Sequence, residues 1–391
     1  RGMILKSYED RNIRVDNNLL GVKLRGRYHE LSLTALTGRV ESMSAQRIDI
    51  LHAFDLEYRP AEWMKAGYSF ASNQPDAAGA ARTRLMALRV QPSIWNFDFY
   101  AEYGVKQNDD IKQNVFNNAE TLAGRAFYGS ANFYYETFSV LAEFKHYDNF
   151  GFSSSDNSVS YNTPPAVRRD YTYVLLNRHP STLKQDNERG FQVEAFYGAD
   201  EYTELNASYG ITKSLRRGSL YQRIAGTQLD VQTHLKEAFG QIKHEWNSDL
   251  LIIAALGYNE ELDANTKNLT PILDMRYSLD EKNSLHGIFE HQLTTVYTTH
   301  EQYYDDVVTF EYLSAPNLTF SVVAEMQTRE PIAGSKERTF WAFGQFGFKL
   351  GNTTDASILV GSRQAGNICI GGVCRYEPEF KGVELKMATR F

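Results

Sequence analysis

The two cysteines of the chain, Cys369 and Cys374, flank Ile370-Gly371-Gly372-Val373. Gly-Gly suits a two-residue hairpin turn, which makes Ile370 and Val373 the closing pair and sets the thiols opposite each other in the next pair. Cysteines placed so can form a disulfide, and an exported protein keeps such a bond. A structural metal would need more ligands, and haem attachment would need Cys-x-x-Cys-His, which the sequence lacks. Neither a metal nor any other cofactor is expected.

The remaining reactive residue types form no catalytic constellation. The 9 histidines are scattered, without His-Glu-x-x-His, Gly-x-Ser-x-Gly or a phosphate-binding loop. His286 and Glu290 share one parity of a predicted strand and His291 lies on the other, so the first two read as polar residues of a wet face. Asp109 with Asp110 and Asp305 with Asp306 fall in predicted loops without calcium-binding spacing and read as solvated charge. No enzyme is expected.

These residues must be positioned by strands, because segment after segment separates with period two into an apolar and a polar set. Trp95, Phe97, Phe99, Ala101, Tyr103 and Val105 alternate with Asn96, Asp98, Tyr100, Glu102, Gly104 and Lys106. The same division recurs from Phe191, from Thr203 and from Leu318. Aromatic residues reach 13% in a chain with 23% charged residues, a mixture that suits strands with one greasy and one wet face. The longest apolar run, residues 250–258, is far shorter than the about 20 residues of a membrane helix and close to the about 9 to 11 of a tilted membrane strand.

Connections alternate as well. Tight turns are predicted near His29, Pro60, Pro92, Glu136, Asp200, Ser248, Asp280, Ala315 and Asn352, with longer polar stretches between them, among them residues 148–188. Short turns at one rim and long loops at the other describe a transmembrane, antiparallel up-and-down β-barrel of about 20 strands, or 18 on a more sparing count, with periplasmic turns and extracellular loops. Soluble β sandwiches and propellers also alternate, but their strands average about 5 to 6 residues, whereas spans of about 10 to 12 recur here. The whole chain, residues 1–391, is expected to be one barrel domain in the outer membrane of a Gram-negative-type bacterium. Its start at Arg1 without a leader implies a removed signal peptide. The net charge of -7 with mixed signs gives no basic stripe for nucleic acid.

Trp63, Trp95 and Trp246 adjoin tight turns and are predicted to form an interfacial girdle; Trp341, near a long stretch, is placed in the opposite one. The inward parity carries charge: Lys23, Arg25 and Arg27 on one strand, with Asp49, Asp55 and Glu57 two strands on, within expected reach. Asp98, Glu102 and Lys106, Glu143 and Lys145, Glu237, Lys243 and Glu245, and Asp274 and Arg276 follow elsewhere. Charge inside a barrel means water, a plug or a partner. Arg82, Arg84 and Arg89 occupy both parities of one segment, which leaves its faces unassigned. Leu251, Ile253 and Ala255 make an apolar patch on an inward face. The stretch 148–188 carries Tyr161, Tyr171, Tyr173, Val174, Leu175 and Leu176. Folded inward, it would meet that patch, with Arg168, Arg169, Arg178, His179 and Lys184 as candidate constriction residues; folded outward, it would dock a partner.

The final segment places Val383, Leu385, Met387, Thr389 and Phe391 on one face and ends on a ring, which resembles the terminal-strand signal read by the barrel-assembly machinery. The opening Arg1-Gly2-Met3-Ile4-Leu5 with Tyr8-Glu9-Asp10, Asp16-Asn17-Asn18-Leu19 and Gly21-Val22, together with Cys369 to Cys374, Arg375, Pro378, Phe380 and Gly382, resembles an uncharacterised family of bacterial outer-membrane barrel proteins. That resemblance covers both ends, implies location without activity, and implies further residues upstream of Arg1. Its expected surroundings are outer-membrane lipid and the assembly machinery. Two functions are carried forward: a porin-like channel for small polar solutes or ions, and a sheath or anchor for a partner protein such as a surface protein or a cytochrome.

Overall fold

The computed structural model describes residues 3–4, 19–42, 47–76, 81–108, 124–154, 159–162, 164–169, 171–178, 187–216, 230–262, 264–329, 338–351, 353–370 and 373–389. Its main element is a 19-stranded antiparallel sheet in which successive strands pair up and down. No helix among the described residues is long and apolar enough to cross a membrane, a fact that does not bear on strands.

The chain divides into two compact units. The first comprises Arg1–Arg168, Leu183–Glu194 and Gly210–His234. It holds β1 (Leu20–Tyr28), β2 (Leu31–Ser42), β3 (Arg47–Ala61), β4 (Met64–Gln74), β5 (Thr83–Ile94), β6 (Phe97–Asn108), β7 (Gly124–Tyr135) and β8 (Phe138–Asp148), each antiparallel to the next. The short strands β9 (Phe152–Ser153) and β10 (Ser160–Asn162) pair separately. β11 (Asn187–Gly198), β12 (Thr203–Arg216) and β13 (Asp230–Glu245) contribute residues to both units.

The second unit comprises Arg169–Thr182, Ala195–Tyr209 and Leu235–Phe391. It continues with the helical turn α1 (Val174–Asn177), then β14 (Leu250–Glu261), β15 (Thr266–Ser278), β16 (Asn283–Val296), β17 (Gln302–Ser314), β18 (Leu318–Gln327), β19 (Phe340–Leu350) and β20 (Thr354–Arg363). β21 (Gly366–Ile370) and β22 (Val373–Glu377) form a hairpin of their own, and β23 (Phe380–Thr389) pairs with β20.

The tight turns have local causes. Tyr28 pairs with Leu31, Ile94 with Phe97 and Tyr135 with Phe138, and the first turn residue in each case, His29, Trp95 and Glu136, takes a positive φ. Such turns match the twist of the strands they join. Pro60 and Pro92 sit inside β3 and β5, so the turns themselves fall just beyond them. Elsewhere side chains shape the turn: Asp280 accepts from the backbone N–H groups of Lys282 and Asn283 at 2.8 and 2.9 Å, and Asn247 from those of Asp249 and Leu250 at 2.9 Å.

Burial follows parity. In β6 Phe99 and Tyr103 are exposed while Glu102, Gly104 and Lys106 are buried, and in β18 Phe320 and Val322 are exposed while Ser321, Val323 and Glu325 are buried. A sheet that exposes its apolar set and covers its polar set is reversed relative to a soluble protein. In β5 the alternation settles the arginines: Arg89 lies on the covered face with Leu85 and Ala87, Arg84 on the other. The predicted girdle residues are exposed beside their turns, Trp63 at 55%, Trp95 at 96% and Trp246 at 69%. Trp341 is not: at 5% exposure it lies on the covered face of β19, opposite Glu325, because one residue of parity decides the face.

Candidate functional site

The candidate site is the covered face of the sheet, and in each unit the described residues between 150 and 178 lie on it. In the first unit, Phe150, Phe152, Val159, Tyr161 and Val167 pack with Met3 and Ile4 against Leu51, Ala53, Ala71, Leu85, Ala87 and Ala126. Small residues on the sheet make the room. A Cβ on Gly104 would lie 2.4 Å from the Phe150 ring, so that ring needs glycine beneath it.

Polar groups fix the same segment. Tyr161 donates to the buried Asp49, which also takes Arg47 at 2.9 Å and the backbone N–H of Asp76 at 2.9 Å. The Asn73 amide donates to the Tyr161 hydroxyl at 2.8 Å, and burial beside Asp49 raises the Tyr161 phenol above its usual value. Lys106 donates to the Gly151 carbonyl at 2.8 Å, and Glu102 accepts from the Met3 N–H at 2.9 Å and the Tyr100 hydroxyl at 2.6 Å. Lys145 and Glu188 form a fully buried pair at 2.5 Å, and Tyr128 donates to Glu143. Toward the tight turns the same face opens on a cavity of about 450 Å³, lined in part by Lys65, Asp98, Asn132 and Glu143.

In the second unit the next part of the stretch docks. Tyr171, Tyr173 and Leu176 pack on Phe239, Ala255 and Ile272, while Val174 and Leu175 meet Val307, Val323, Phe343 and Leu359. A Cβ on Gly257 would lie 2.4 Å from Leu176 Cδ2, so the leucine occupies the space that glycine leaves. The first turn of α1 is capped from outside: Tyr173, at its N-cap, makes no side-chain cap bond. The buried Glu290 carboxylate accepts the N–H groups of Val174 and Leu175 at 2.8 and 2.7 Å. Arg178 ends the turn in an ion pair with buried Glu325. Arg169 donates to Asn206 at 2.6 Å and stacks on Phe239 at 4.3 Å from its centroid.

A profile of the family of unknown function DUF6029 matches residues 1–391. The chain belongs to this family. No curated protein matches it. Among solved structures, it is similar to a mutant of the ferric enterobactin receptor PfeA of Pseudomonas aeruginosa, with 9% identity and a TM-score of 0.46 over 87% of this chain and 63% of the receptor. Similar too are the siderophore receptor PirA of Acinetobacter baumannii, with 7% identity and a TM-score of 0.44 over 91% and 68%, and the copper transporter OprC, with 10% identity and a TM-score of 0.44 over 88% and 64%. The DUF6029 chain thus spans less than two thirds of the length of OprC and of PfeA, 64% and 63%.

Several predicted site residues of this DUF6029 chain find other partners than expected. Lys23, Arg25 and Arg27 lie on β1, whose residues are exposed on both parities, and Arg27 donates to the His29 carbonyl at 3.3 Å. Asp55 and Glu57 are instead taken by Arg89, at 2.5 and 3.4 Å. The guanidinium reaches from β5 to β3 across Gly67 of β4, where a Cβ would lie 2.3 Å from the guanidinium carbon. One strand intervenes on either side, but Thr34 and Ser32 of β2 stand between Arg25 and Asp55 and between Arg27 and Glu57, whereas Gly67 of β4 leaves the gap that Arg89 crosses. Asp274 pairs with His286 at 2.8 Å and Arg276 stands 3.8 Å from it; His286 also meets Glu311 at 2.9 Å. Ser321 donates to Glu311 at 3.2 Å, not to the histidine, which gives no nucleophile–base contact.

Among the constriction candidates, Arg168 is buried, Arg169 is bonded to Asn206, and Arg178, paired with Glu325, lines a cavity of about 260 Å³. His179, Lys184 and Phe391 lie outside the described residues. Asp305 and Asp306 sit in β17 on opposite faces, the first accepting Gln327 at 2.8 Å and the second paired with His291 at 2.6 Å, so they do not converge. Asp109 and Asp110 lie outside the described residues. Among the described residues no group of three acids, histidines or cysteines is placed to hold a metal. The backbone pairs Cys369 with Cys374 across the β21–β22 ladder; their side chains lie outside the described residues. Glu290, which the sequence offered only as a polar residue of a wet face, and Gly257, which it did not single out, hold α1; the aromatic and aliphatic content of 171–176 was the signal that a partner face existed.

Proposed function

We propose that the chain is an outer-membrane β-barrel acting as a porin-like channel for small polar solutes or ions, constricted from within by its own residues 150–178. The apolar face meets lipid, the tryptophans at the tight turns sit at the periplasmic interface, and the covered face bounds the lumen. A charged, hydrogen-bonded face is compatible with a membrane only where water or protein covers it. The observation that carries the reading is the docking of α1 on that face through Glu290 and Arg178. A structural sheath would need the same face for its partner, and here the chain's own segment occupies it. The barrel carries a Cys369–Cys374 disulfide in the β21–β22 hairpin and depends on outer-membrane lipid and the assembly machinery.

The test is deletion of residues 163–184 followed by single-channel recording in planar bilayers. Conductance rises if the segment constricts a channel. Unchanged conductance from a folded barrel overturns the reading, and loss of a co-purifying protein at unchanged conductance puts the sheath in its place.

A further inference from the structure

Above α1, at the end of the second unit's strands away from its tight turns, lies a cavity of about 260 Å³. Its floor is Leu175 and Leu176. Its walls carry the carboxylates of Glu261, Asp305 and Glu325 and the carboxamides of Asn259, Asn268 and Gln327. Tyr303 adds a ring, which the Arg329 guanidinium approaches at 5.0 Å from its centroid.

We propose that this cavity is a binding site for a small, neutral, hydroxyl-rich solute of the monosaccharide class. Both guanidiniums at the site are held by protein, Arg178 by Glu325 and Arg329 by Glu301 at 3.0 Å, while Asp305 accepts the Gln327 amide at 2.8 Å and Glu261 the Asn259 amide at 3.3 Å. An anion would find both guanidiniums engaged, and a metal ion would find no converging set of ligands among the described residues. What the walls offer instead is donors and acceptors side by side, since each carboxamide presents both and each carboxylate two acceptors. Adjacent hydroxyls, each donor and acceptor at once, complement that array. An apolar ligand would leave the buried Asn259 and Asn268 carboxamide oxygens and one Glu325 oxygen without a donor, at a desolvation cost for each. A pyranose also has C–H faces, which suit the leucine floor and the Tyr303 ring. The volume agrees, because sites for drug-sized ligands run from about 300 to 1,000 Å³ and this one is smaller. Residues of the constricting segment form the floor, so the occupant would touch the element that blocks its route. Only this last point rests on the channel reading; binding itself does not.

The experiment is isothermal titration calorimetry of the full chain in detergent with glucose, and with inorganic phosphate and spermidine as charged comparators. Saturable glucose binding, weakened at least tenfold in both Asp305→Leu and Gln327→Leu and retained in Asp98→Asn in the first unit's cavity, supports the site. Two variants guard against one that fails to fold, with heat-modifiable gel mobility as the check. No glucose binding by the folded wild type, tighter binding of phosphate or spermidine, or wild-type binding by both leucine variants overturns it. Bilayer conductance of the same preparations separates the two readings: a binder that conducts nothing sinks the channel and leaves the site, and a channel that binds nothing does the reverse.

Discussion

Replacing Glu290 by glutamine tests the docking of α1 with little change in volume. The carboxylate accepts two backbone N–H groups, at 2.8 and 2.7 Å, and is 1% exposed. Hydrogen bonds to a charged group contribute about 1.5–3 kcal/mol each. Glutamine keeps one of them through its carbonyl oxygen and turns an NH2 toward the other N–H. The neutral side chain costs less to bury, which offsets part of the loss, and a net of about 2 kcal/mol for the docked segment remains. At about 1.4 kcal/mol per factor of ten, the undocked population rises roughly 30-fold. Native-state hydrogen exchange read by mass spectrometry on peptides covering residues 171–178 reports that population directly, because the segment opens locally while the sheet stays intact. Acceleration by about tenfold or more is expected, with no change in peptides from β14 to β16. Unchanged protection at 171–178 in a barrel with normal heat-modifiable mobility would refute the claim that Glu290 holds the segment.

Other expectations follow from the same geometry. Phe99→Arg and Val105→Arg, on the apolar face, are expected to cost about 2–4 kcal/mol near the midplane and to impair assembly, whereas Glu102→Gln on the covered face leaves the barrel folded; equal loss of heat-modifiable mobility in all three would reverse the faces. Mass spectrometry of unreduced protein should find Cys369 bonded to Cys374, and free thiols in fresh preparations would count against it. The Asp280 carboxyl is held below its usual range by bonds from Asn283 and Lys282. A depressed group stabilises above its unfolded value, about 3.9, and that contribution fades as pH falls through the lower folded value. The 280 turn should therefore keep its structure to well below pH 4 and loosen earlier in Asp280→Ala, as followed by NMR of the Asn283 amide.

Much of the sheet was legible because period two is a backbone property. Phe99 and Tyr103 against Glu102 and Lys106 could be assigned from spacing alone, since a strand has no other way to turn its side chains. What failed were relations across strands. Arg89 reaches Asp55 because Gly67 lies between them, and glycine in a strand says nothing of which side chain will cross it. Trp341 looked like a girdle residue from its distance to a loop, but height and facing are separate coordinates. The stretch 148–188 announced itself by its apolar content, whereas its anchor did not: Glu290 on β16 is more than a hundred residues from the N–H groups it accepts, and no local pattern encodes such a meeting.

The short turns have a consequence for how this chain can change length over evolution. Between Ile94 and Phe97 only Trp95 and Asn96 intervene. One residue inserted there, with the ladder re-formed, would rotate β6 by one step and send Glu102 and Lys106 to the exposed apolar face and Tyr103 against Phe150. The same holds at 29–30 and at 136–137. Insertions and deletions in homologous chains should therefore collect in the long connections and be nearly absent from these pairs, so that length polymorphism alone would mark which rim is which.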